Sequence, residues 1–105
     1  MTEIHYQQHA EKVRISVVGH AAFNPGNDIV CAGVSAIMYQ LLAVLSKMET
    51  DGMIYDQHTN VEDGFVIVQF SLVPEGFDLW DTVWMVIKMG WQNIADEYPD
   101  NVVVS

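Results

Sequence analysis

Positive charge is scarce in this chain: 4 Lys and Arg stand against 14 Asp and Glu, leaving a formal net charge of -10 over 105 residues. Such a surface repels phosphate backbones and anionic bilayers, so direct contact with nucleic acid or membrane is not expected. The single cysteine, Cys31, excludes an internal disulfide and a zinc site built from several thiolates. No uninterrupted apolar run is seen to reach the roughly 18 residues of a membrane span. The first residues, "MTEIHYQQHAEK", lack both the basic start and the apolar run of a secretory leader. The expectation is a cytoplasmic protein without metal or cofactor, whose lone thiol is either a buried bystander or a functional group.

What is present is material for a core. Half of the residues are apolar or aromatic, enough for one domain spanning residues 1–105 and too little for two. Val13, Ile15 and Val17 alternate with Lys12, Arg14 and Ser16, the pattern of a strand with one wet face. With "EIHYQQH" before it, this segment forms a hairpin turning at Ala10 and Glu11. Asn24, Pro25, Gly26 and Asn27 then make a loop, and Asp28 stands where a helix N-cap belongs. Val30, Val34, Ile37, Leu41, Leu45 and Met48 recur at spacings of three and four, which predicts a helix ended by Asp51 and Gly52.

Two further strands, "GMIYDQH" and "GFVIVQFSLV", are expected on either side of a polar turn "TNVED". After Pro74 and Gly76, the residues Trp80, Trp84, Ile87, Trp91, Ile94 and Tyr98 mark a second helix. Its other flank carries Leu79, Val86 and Met89, and a helix apolar on two sides calls for two partners, one of them a second subunit. The order is ββαββα, with "NVVVS" as a short closing strand. The fold class is α+β, a mainly antiparallel sheet with two packed helices.

The chemistry concentrates in "GHAAFNPGNDIVCAGVS", Gly19 to Ser35. With Asp28 as cap, Cys31 is the third helical residue, where backbone N–H groups lack intrahelical partners and the helix end stabilises negative charge. The thiolate is the nucleophilic form of cysteine, and the same N–H groups are candidates to hold an oxyanion. At about 100° per residue, Cys31 lies roughly 80° from the centre of the apolar stripe, on its border. His20 ends a strand and is joined to the helix by a loop that can bring imidazole to sulfur, for general-base and general-acid work. Against this stands the frequent burial of free cysteine in cores, so composition and spacing leave both readings open. A metal site drawn from His5, His9, His58 or His20 is disfavoured, because those ligands fall on unrelated elements.

The motif as a whole is more specific than its parts. "GHA", a glycine-containing loop and "DIVCAGVSAI" resemble the signature of the Prp family, the bacterial ribosomal-processing cysteine proteases, and the closing "IADEYPD" is similar as well. The resemblance implies that Cys31 is the nucleophile and His20 its base, with Asp28, Ser35, Gly19 and Gly26 in supporting positions. It implies a homodimer, and as substrate the apolar and aromatic N-terminal extension of a large-subunit ribosomal protein precursor. Gly33 departs from the family's alanine, and "IYDQHTNVED" matches no part of the pattern. A phage-borne relative that processes a viral protein would carry the same motif. A non-catalytic acidic module for a basic protein partner would need only the surface.

Overall fold

A two-residue turn starts the sheet. Strands β1 (Thr2–His9) and β2 (Lys12–Val18) pair antiparallel with His9 opposite Lys12, so Ala10 and Glu11 alone reverse the chain and Ala10 takes φ +54°. The computed structural model describes residues Met1–Ser105. Helix α1 (Ile29–Thr50) follows β2, then strands β3 (Ile54–Glu62) and β4 (Phe65–Leu72), helix α2 (Phe77–Glu97) and strand β5 (Val102–Val104). The spatial order is β3-β4-β2-β1-β5, antiparallel except where β5 runs parallel to β1. This is the expected α+β fold in the expected order.

The alternation in β2 buries Val13, Ile15 and Val17 beside Val68, Phe70 and Leu72 of β4. Both helices cover that face of the sheet. Helix α1 contributes Val30, Val34, Met38, Leu41, Leu45 and Met48. Met38 thus takes the core position expected for Ile37, whose side chain turns instead toward α2, where a Cβ at Gly90 would come within 3.0 Å of it. Gly33 meets α2 in the same way, with Ile94 Cδ1 3.2 Å from the place of a Cβ, so an alanine there would crowd the helix contact.

Helix α2 buries Trp80 and Trp91 completely. A buried indole N–H needs an acceptor. Trp91 Nε1 donates to Val34 O at 3.2 Å and Trp80 Nε1 to Tyr6 Oη at 3.1 Å. Tyr6 stacks on Trp84 at 4.2 Å between centroids, and burial raises its phenol pKa from the ordinary value, partly opposed by the Trp80 bond.

Helix α1 is long and apolar enough on average to cross a membrane, although Ser35, Gln40 and Ser46 interrupt its apolar run; its buried stripe is the core surface over the sheet. One expectation needs correction. The β3–β4 turn is not "TNVED": β3 continues through Thr59, Asn60 and Val61 to Glu62, which pairs with Phe65, and only Asp63 and Gly64 turn. Strand β3 is an edge of the sheet, where polar residues on both faces meet solvent, so it lacks the apolar alternation of a covered strand.

Candidate active site

The end of the sheet where β2 stops, the β3–β4 hairpin turns and α1 begins is built on Gly19. Its φ is +92°, and a Cβ there would run into the carbonyl of Met1, so a side chain is excluded twice over. Its carbonyl accepts from Thr2 Oγ1 at 3.2 Å, and its N–H donates to Gly64 O at 2.8 Å. His20 follows, exposed. Ala21 is buried, its carbonyl held at 2.8 Å by Asn101 Nδ2.

Asp28 organises the start of α1. Oδ1 accepts from Val30 N and Cys31 N, both at 2.9 Å, while Oδ2 accepts from Phe23 N at 2.9 Å and Asn24 N at 3.3 Å. One carboxylate therefore caps the helix and ties down the loop before it. These donors, Cys31 N–H foremost, lower the Asp28 pKa from its ordinary value. Gly26 lies in the exposed part of that loop with φ +89° and does not line the thiol's cavity.

Cys31 is half-buried, and its Sγ accepts a hydrogen bond from Ala21 N–H at 3.2 Å. The expectation that helix N-terminal amides would serve an oxyanion is corrected here. Val30 N and Cys31 N are spent on Asp28 Oδ1, and Ala32 N donates to Asp28 O at 3.0 Å. The amide that reaches the sulfur is that of Ala21.

A groove of about 430 Å³ opens from Cys31. Cys31, Ser35, Met38, Tyr39 and Leu42 of α1 are among the residues that line it on one side, and residues 61–66 of the hairpin on another; Val17, Gly19 and His20 also contribute. The structure thus brings Gly19, His20, Cys31 and Ser35 to one cavity, which neither Asp28 nor Gly26 lines. Sequence reasoning missed the hairpin's share, including Val61, Asp63, Gly64 and Phe65. The dipeptide Asp63-Gly64, a strong two-residue turn signal, was the clue available. No group of three or more His, Cys, Asp and Glu side chains is arranged to hold a metal ion.

The family model described as cysteine protease Prp matches residues 1–103. The chain belongs to the Prp family of cysteine proteases. No curated protein sequence matches it. Among solved structures it resembles the essential ribosomal processing protease Prp from S. aureus with a covalently linked product peptide, at TM-score 0.73 and 23% identity, covering 100% of this chain and 98% of the other. The same S. aureus protease with a substrate peptide gives TM-score 0.68 and 24% identity, with 100% and 98% covered. A Streptococcus mutans protein gives TM-score 0.69 and 20% identity, with 100% and 92% covered. These likenesses establish the Prp fold along the whole chain; the family match makes it a cysteine protease.

Proposed function

We propose that this Prp-family protein is a cytoplasmic endopeptidase that removes the N-terminal extension of a large-subunit ribosomal protein precursor, with Cys31 as nucleophile and His20 as its general base and acid. The observation that carries the reading is that Cys31 and His20, from separate elements, line one groove in a Prp-family chain with a single cysteine. The S. aureus relative is described as a ribosomal processing protease bound to substrate and product peptides, which supports the same substrate class here.

The groove suits an apolar peptide. From Cys31 to Leu42 is eleven residues of helix, about 16 Å at the usual rise, the length of roughly five extended residues. Met38, Tyr39, Leu42, Val61 and Phe65 offer apolar contact along it. The net charge of -10 favours a basic partner beyond the groove. In the reaction, His20 takes the thiol proton and Sγ attacks the scissile carbonyl; Ala21 N–H, already directed at sulfur, supports the oxygen as it gains charge. The amine leaves with the proton from His20, and water resolves the thioester. Asp28 and Ser35 support the site, Asp28 by fixing the helix start and Ser35 from the groove one turn beyond Cys31.

The test is incubation with peptides spanning the extension junction of candidate ribosomal precursors, read by mass spectrometry. One cut at the junction is expected, with His20→Ala lowering kcat by about 10²- to 10⁴-fold. Failure to cut any such peptide by folded protein would refute the substrate.

A further inference from the structure

The β3–β4 turn lies outside the motif Gly19 to Ser35, yet it meets His20 in three ways. Gly64 O accepts from Gly19 N–H at 2.8 Å, joining the hairpin tip to the residue before the imidazole. Gly64, at φ +72°, lets the ring lie close: a Cβ there would come within 2.8 Å of His20 Nε2 and 3.3 Å of Cδ2. Asp63 Oδ1 stands 3.8 Å from the same Nε2. Both turn residues line the groove that contains Cys31.

We propose that Asp63 is a positioning residue for His20: its carboxylate faces Nε2, keeps the proton on that nitrogen, and leaves Nδ1 as the atom that exchanges a proton with Cys31. The inference rests on the reading of His20 as the base. A neutral imidazole carries one N–H and one acceptor nitrogen, and an ionised carboxylate only accepts, so a carboxylate beside Nε2 favours the tautomer with its N–H there. Nδ1 then takes the proton from Sγ, and the S–C bond forms as the carbonyl is attacked. On collapse the C–N bond breaks and the leaving amine takes the proton from Nδ1. Water attacking the thioester gives a proton to Nδ1, the C–S bond breaks, and that proton returns to Sγ. In each charged interval the imidazolium Nε2–H faces Asp63.

The separation is longer than a hydrogen bond, as is common for catalytic pairs in unliganded sites that tighten when substrate fills them. The other titratable side chains lining the groove are Cys31 and Tyr39 on α1 and Glu62 on the hairpin. Asp63 is the carboxylate within ion-pair distance of His20.

The experiment compares parent, Asp63→Asn, Asp63→Glu and His20→Ala on one junction peptide, with ¹⁵N NMR of the imidazoles. Asp63→Asn is expected to lower kcat about fivefold at unchanged KM, the scale of an exposed ion pair strengthened in the transition state, and Asp63→Glu to recover most of it. The His20 signal, identified by its loss in His20→Ala, should report the Nε2–H tautomer in the parent and a mixture in Asp63→Asn. An unchanged kcat, a rise in KM alone, or identical tautomer signals in parent and Asp63→Asn overturns the inference while His20→Ala keeps its large loss of kcat. Full activity in His20→Ala overturns the underlying reading of His20 as well.

Discussion

At Asp28 one side chain accepts from four backbone N–H groups on both sides of the helix start, so its charge supports the loop and α1 together. Its pKa is lowered on folding, chiefly by the bond from Cys31 N–H. A carboxylate with a depressed folded pKa stabilises fully above its unfolded value, and that contribution is lost as pH falls through the folded one. Asp28→Ala should therefore melt at a lower temperature than the parent at pH 7, and the gap should begin to narrow as pH falls below about 4, the ordinary carboxylate value, and close once pH has passed the lower folded value. Calorimetry across that range checks the sign; a gap that widened on acidification would contradict it. The sequence placed Asp28 correctly as a cap, because the preference of short acidic side chains for that position is local. It did not reveal the bonds to Phe23 and Asn24, which depend on how the loop folds back.

Among the elements, α1 and α2 were legible because their apolar spacing is a property of the chain itself. The exchange of Met38 for Ile37 was not, since it depends on where α2 crosses: Gly90 leaves room for Ile37 between the helices. The hairpin was misread for a related reason. Thr59 and Asn60 sit in an edge strand that needs no apolar alternation, and the groove-lining pair Asp63 and Gly64 was not recognised as the turn. Helix α1 carries Cys31 and is tied to α2 through the Trp91 indole and Val34 O. Trp91→Phe removes that donor and part of a fully buried ring, and should cost about 1–2 kcal/mol of stability, measured by urea unfolding. Because Trp91 does not line the groove, kcat at temperatures where the variant stays folded should be unchanged.

For the molecule as a whole, the outer flank of α2 leaves Leu79 46%, Val86 61% and Met89 60% exposed. Three large apolar side chains on one helix flank suit the homodimer that the family resemblance implies. Sedimentation of the parent should show a dimer at micromolar concentration, and Val86→Glu should shift it toward monomer by placing an unpaired charge in the interface. A monomeric parent would count against that assembly. The central claim is that Cys31 performs the cleavage, and the most direct test is the rate at which folded Cys31→Ala cuts the junction peptide, followed by mass spectrometry with circular dichroism confirming the fold. The account predicts no cleavage above the uncatalysed background, since the variant has no side-chain sulfur to form the thioester and loses only a small, half-buried group. Cleavage by folded Cys31→Ala at the parental rate would contradict it.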